Sequence, residues 1–303
     1  MKTIQQFLQK PWLYLIIILI GVSLKFYNVD HRFFWLDEIC TILHITGNEV
    51  WEIPTNKIVD MNIYIKDKLH LSKRNLTLTE EFSGISKTTN LNPLHYYLLA
   101  FWYRIVGDDP VDYRFFSIFI FLITLPVLFL LARSLFKSNL AGWIAVCLYS
   151  SSPFFHFFAQ EARYYILWAF LFIVLQYLFL NAVSSNKLKW WIGYSLVGIL
   201  IMYASILSGL IIIGHFVYLL ITRKRLWLIY SINAILIFLG YLPWLIFLIN
   251  RKEEIFNGLS WQRWIGNKNI FTLLIAPFVN MAASSMSLKG FSAQFNGLSS
   301  LEF

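Results

Sequence analysis

A series of long apolar runs, separated by short polar and basic tracts, occupies most of this chain. The runs cover roughly residues 11–24, 115–135, 139–158, 163–182, 189–203, 205–222, 226–249 and 270–286. A helix needs about 20 apolar residues to cross a bilayer, so most of these runs predict spanning helices. The run 189–203 is short and leans on Lys187, Lys189, Trp190 and Trp191 as interfacial anchors, while 270–286 is interrupted by Pro277 and Asn280. A chain of 303 residues that is 58% hydrophobic and 18% aromatic, with a mean hydropathy of +0.62, is no ordinary soluble domain. The expected fold class is an all-α polytopic membrane protein.

The formal charge of +9 does not indicate a nucleic-acid partner. The Lys and Arg residues sit in tracts between apolar runs, as the positive-inside rule expects. Cys40 and Cys147 give neither a disulfide framework nor metal-ligand spacing. His156 and His215 fall within apolar runs and read as packing residues. The first run, preceded by Lys2 and Lys10, is compatible with a signal peptide. Its apolar character continues through Phe26 and Tyr27, which favours an uncleaved first helix. Either way, the residues after it lie outside the cytoplasm.

Residues 93–107 set the topology. This segment is short and aromatic, carries His95 and Arg104, and ends at Gly107 before Asp108-Asp109-Pro110. Those are marks of a helix lying in the membrane interface. With 93–107 interfacial, Arg133 and Lys137, Lys187 and Lys189, and Arg223-Lys224-Arg225 all face the cytoplasm; with it spanning, all three tracts face outward. The first arrangement places outside the loop 29–113, the turn around 159–163 and the loop 250–269 with Arg251 and Arg263. The polar stretch 55–90 reads as an exposed excursion within that first loop, and Asn75-Leu76-Thr77 fits a glycosylation acceptor pattern. Residues 1–286 form one expected module, followed by a polar, linker-like tail at 287–303 that suits either a minimal protein or a piece of a longer one.

Asp37-Glu38 follows directly on the first apolar run. Charge at a membrane exit costs free energy unless it has a task, and this pair shares the outer side with the other polar clusters. Three stretches then occur in order: Phe34-Trp35-Leu36-Asp37-Glu38; Asn92-Pro93-Leu94-His95-Tyr96-Tyr97 with Tyr113-Arg114 beyond it; and Ser152-Pro153-Phe154 with Gln160-Glu161-Ala162-Arg163-Tyr164-Tyr165. Together, over roughly residues 1–180, they resemble membrane glycosyltransferases of the GT-C class. Within that class they are most similar to the protein O-mannosyltransferase-like and aminoarabinose-transferase-like group. The chain departs from that pattern at Asn92, near the place of a His-Pro pair, with His95 a displaced histidine.

The resemblance implies a GT-C-type transmembrane bundle whose long first extracytoplasmic loop carries interfacial helices. It also implies a polyprenyl-phosphate-linked sugar donor and inverting transfer to a glycan, lipid or protein acceptor, at the outer surface of the plasma membrane. Such a reaction needs a base for the acceptor proton and positive charge, from side chains or a divalent cation, for the departing phosphate. On this reading Asp37 is the base, with Glu38 beside it. Arg114 and Arg163 hold the donor phosphate, and Glu161 orients Arg163 or binds a cation. His95, Tyr96, Gln160 and Tyr164 are candidate substrate contacts. A transporter or flippase would show an inverted repeat or charge at mid-bilayer, and neither is evident; a non-catalytic assembly subunit would lack the Asp-Glu pair.

Overall fold

The computed structural model describes residues 11–32, 36–45, 93–107 and 109–252. Most of the loop 29–113, the Asn75 pattern, residues 253–269, the run 270–286 and the polar tail lie outside the described residues. Regular structure among the described residues is helical: α1 (Pro11–Phe26), α2 (Leu36–Ile45), α3 (Pro93–Val106), α4 (Pro110–Phe136), α5 (Asn139–Ser151), α6 (Pro153–Ala159), α7 (Tyr165–Ser185), α8 (Leu188–Ala204), α9 (Gly209–Thr222) and α10 (Trp227–Asn250). Three stretches, Val111–Phe136, Tyr165–Ser185 and Lys224–Asn250, are long and apolar enough to cross a membrane, and Trp12–Phe26, Leu188–Ala204 and Ile206–Thr222 are shorter apolar helices. This is an all-α membrane protein. Its outward surface is correspondingly greasy, with Leu19, Leu148, Leu210, Ile221 and Ile235 all exposed.

One predicted span is broken. The apolar run 139–158 is not a single helix but α5 and α6, parted at Ser152. Hydropathy is continuous across the break; the backbone is not. Pro153 has no N–H to give to an α-helical bond and drives the preceding residue out of the helical region, and Ser152 accordingly has φ −64° and ψ 127°. The short α6 then delivers Gln160 through Tyr164 as a tight turn into α7.

α3 forms where the interfacial helix is expected. Its 14 residues would reach only about 21 Å, short of the ~30 Å hydrocarbon core. It packs against α2, α4 and α8. Gly107 ends it at φ +141°, and the Gly107 N–H donates to Tyr103 O at 2.9 Å. A Cβ at Gly107 would sit 2.5 Å from Asp112 Oδ2, the oxygen that accepts from the Asp109 N–H at the start of α4. The sharp exit from α3 and the entry into α4 are thus one device.

The bundle is assembled by close helix contacts and buried hydrogen bonds, as expected where apolar lipid removes most of the hydrophobic drive between helices. α1 runs beside α5, with Gly21 against Ser150: a Cβ on Gly21 would lie 2.6 Å from the Ser150 carbonyl oxygen. At the end of the same helix Lys25, buried, donates to Ser150 O at 3.0 Å. Across α7 to α10 a chain of polar side chains links Gln176, His215, Tyr194 and Tyr230 at 2.9, 3.0 and 2.8 Å. Tyr230 gives its one proton to Ile212 O. His215 Nε2 faces Gln176 Oε1, an oxygen that only accepts, so the ring N–H at Nε2 is the donor of that contact.

Chain direction sorts the charges. α4 packs on α5, α7 on α8 and α9 on α10. With short turns between these neighbours, Arg133 and Lys137, Lys187 and Lys189, and Arg223 to Arg225 come to one end of the bundle. Arg114, the turn 160–164 and the segment 205–208 come to the other. The Trp168 indole, donating to Ser208 Oγ at 2.8 Å, ties two parts of that second end together.

Candidate active site

The Asp37-Glu38 pair opens α2. Successive residues on a helix point about 100° apart, so the two carboxylates part company. Glu38 turns inward. It meets Arg114 in a fork, with Arg114 Nε 3.0 Å from Oε1 and Nη2 2.9 Å from Oε2, and both side chains are fully buried. Arg114 also donates to Val29 O and Arg32 O at 2.7 and 2.8 Å. The remaining capacity of Glu38 Oε1 is taken by the Ala162 N–H at 2.9 Å. This is a sealed, paired unit that fastens the segment 29–32 after α1, α2, α4 and the 160–164 turn to one another.

Arg114, expected at the donor phosphate, is placed inside the bundle. It does not open onto the surface as a phosphate clamp; its guanidinium is spent on Glu38 and two carbonyls with no solvent access. Glu161 pairs with a different cation from Arg163. Its carboxylate lies against Arg32, at 3.4 Å, while the Arg32 guanidinium stacks 4.1 Å over the Phe157 ring and donates to Phe157 O at 3.2 Å. The Ser117 hydroxyl fixes the Glu161 backbone by donating to its carbonyl oxygen. Glu161 Oε2 is buried and unpartnered.

Asp37 turns outward and is the accessible acid of the pair, its side chain 41% exposed. Arg163 Nη2 reaches its Oδ2 at 3.2 Å. Arg163 Nη1 donates to Thr41 Oγ1 at 3.0 Å and to Asp37 O at 3.3 Å. The guanidinium lies 5.6 Å from the Tyr164 ring and 5.8 Å from the Tyr165 ring, within cation–π range. A carboxylate and a fork-shaped cation therefore share one partly open position.

The remaining predicted contacts divide. Tyr96 is half-buried, shares a side-chain hydrogen bond with Thr41, and has Arg163 nearby. Tyr164 is half-buried beside Arg163; burial pushes its phenol up to about 12. Gln160 is buried and caps the end of α1, donating to Lys25 O and Tyr27 O at 3.1 and 2.9 Å. That is a structural position. His95 is buried between Tyr96 and Phe116, and its ring lies near the Ala162 backbone without a well-formed hydrogen bond. Burial holds it down at about 3. Among the described residues no cluster of three or more His, Cys, Asp or Glu side chains could hold a metal ion. Thr41 and Arg32 join the site without having been expected from the sequence. Thr41 lies one turn after Asp37, and that spacing is a usable signal; Arg32 carries none.

Burial raises the Glu161 carboxyl to about 8, against the pull of Arg32. The folded state then keeps a proton that the unfolded chain gives up above its ordinary value of 4.5. The contribution is complete below about 4.5, shrinks as pH rises from there and is gone above about 8. The thermal midpoint of the purified protein should therefore fall from pH 5 to 8.5, and Glu161→Gln, which mimics the protonated form, should flatten that fall. An unchanged slope in the variant would show that the titration belongs to another group.

Beside this site lies an apolar groove of about 610 Å³, lined by Phe154, Phe158, Tyr165, Trp168, Leu207 and Leu210 among others. Tyr165 belongs to both, for its ring also faces Arg163. The sequence model of the dolichyl-phosphate-mannose-protein mannosyltransferase family matches residues 90–247, just over half of the chain. The chain belongs to this family. It is a membrane glycosyltransferase by that membership. The matched region holds Arg114 and the whole 160–164 turn; Asp37 and Glu38 precede it and are joined to it by the ion pairs above. No curated protein and no solved structure matches the chain.

Proposed function

We propose that this glycosyltransferase takes its sugar from a polyprenyl-phosphate donor and transfers it, with inversion, to an acceptor hydroxyl at the extracytoplasmic face of the membrane. The observation that carries the reading is the Asp37–Arg163 pair, at 3.2 Å, beside an apolar groove. It combines a base, a phosphate-sized cation and a bed for an isoprenoid chain. In the reaction the acceptor oxygen bonds to the anomeric carbon as the carbon–oxygen bond to phosphate breaks. The acceptor proton passes to Asp37, and polyprenyl phosphate leaves with its charge held by the Arg163 fork. Topology supports the side: the basic tracts gather at the opposite end of the bundle from this pair, where the positive-inside rule places the cytoplasm.

Arg163→Lys tests the clamp. Lysine keeps the charge and loses the planar fork. Transfer from a polyprenyl-phosphate sugar by the variant in liposomes should fall about 10- to 100-fold, the scale of a charged hydrogen bond, with a higher KM for donor and an undisturbed thermal midpoint. Turnover equal to the parent would move the phosphate elsewhere, first to Arg251 or Arg263.

A further inference from the structure

We propose that Thr41 is a positioning residue that holds Arg163 in place through the reaction, an inference resting on the reading of Arg163 as the phosphate clamp. Thr41 is completely buried in α2. Its hydroxyl donates to the Asp37 carbonyl oxygen, one turn back, at 2.8 Å. That bond uses its single proton and leaves two lone pairs. One accepts from Arg163 Nη1 at 3.0 Å; the other is available to the Tyr96 phenol, with which Thr41 shares a side-chain hydrogen bond. A single hydroxyl thus joins the peptide of the base, the guanidinium of the clamp and a ring of α3.

The chemistry explains why a neutral anchor is needed. The ion pair to Asp37 Oδ2 holds Arg163 only while Asp37 is ionised. Once Asp37 takes the acceptor proton that attraction is gone, at the moment when charge on the leaving phosphate is greatest. The Thr41 hydroxyl does not titrate and keeps its bond to Nη1 in both states. The other contact of Nη1, to Asp37 O, is the longer one at 3.3 Å. Arg163 Nε is buried without a hydrogen-bond partner, and besides Thr41 the guanidinium shares a side-chain hydrogen bond with Tyr165.

Thr41→Val keeps the shape and removes the hydroxyl; Thr41→Ser keeps the hydroxyl. In full-length protein in liposomes, Thr41→Val should lose about tenfold or more in kcat, while Thr41→Ser stays within about threefold of the parent. A second readout is independent of turnover: the rate at which phenylglyoxal modifies Arg163, located by mass spectrometry. It should rise in Thr41→Val, as the side chain is released, and stay at the parental rate in Thr41→Ser. Equal labelling of Arg163 in parent and Thr41→Val would overturn the proposal. Should Thr41→Val not fold, Thr41→Ala carries the same two readouts. If the parent moves no sugar from a polyprenyl-phosphate donor, the reading of function fails, while the labelling comparison still decides the role of Thr41.

Discussion

Asp37→Asn should bind the lipid donor nearly as the parent does and transfer almost none of its sugar. Asparagine preserves the size of the side chain and still accepts from Arg163, so the 160–164 turn keeps its place. What it cannot do is take a proton. General-base catalysis is typically worth about 10² to 10⁴ in rate, and a loss of that size in kcat with little change in donor affinity is the expected signature. Asp37 is suited to the role by position. It is accessible where its neighbour Glu38 is sealed, and its cationic partner is the same residue that would meet the phosphate. Full activity in Asp37→Asn would remove the motif from the chemistry.

Glu38→Ala should fail differently, by losing the fold rather than the rate. Its removal strands the fully buried Arg114 guanidinium and leaves the Ala162 N–H without its acceptor. Breaking a buried pair from one side costs about 3–5 kcal/mol, a large share of a typical stability of about 5–15 kcal/mol. The measurement is the thermal midpoint and the monodisperse fraction in detergent, for Glu38→Ala, Arg114→Met and the double variant Glu38→Leu/Arg114→Met. Each single change should be severely destabilising, and the double variant should recover much of the loss because no charge is left buried alone. A Glu38→Ala protein as stable as the parent yet inactive would restore Glu38 to the catalytic pair.

These two outcomes separate neighbours that the sequence presents as one motif, and the reason is geometric. The Asp37-Glu38 dipeptide at the end of an apolar run is visible in the letters, as is the helical offset that must send the two carboxylates apart. Which of them goes inward is decided by Arg114, 76 positions away, and no local pattern contains that. Read locally, Arg114 opens a helix at the outer side and resembles a clamp; depth of burial gives it a structural task instead. Spacing alone pairs Glu161 with Arg163, two residues on, but the tight turn aims their side chains at different partners, Arg32 and Asp37. The basic helix ends, the short aromatic α3 and the polar 160–164 turn are all legible, since each depends on composition and spacing. The break at Ser152 is hidden by unbroken hydropathy, although Pro153 signals it.

Sugar transfer by the purified full-length protein in liposomes decides whether the Asp37–Arg163 pair, beside its apolar groove, uses a polyprenyl-phosphate donor. The protein is given polyprenyl-phosphate sugars and acceptor hydroxyls, and both the released polyprenyl phosphate and the anomeric configuration of the product are determined. One polyprenyl phosphate should be released per sugar transferred, the anomeric centre should be inverted, and Asp37→Asn should yield neither product. Transfer with retention, or transfer that persists undiminished in both Asp37→Asn and Arg163→Lys, would contradict the assignment.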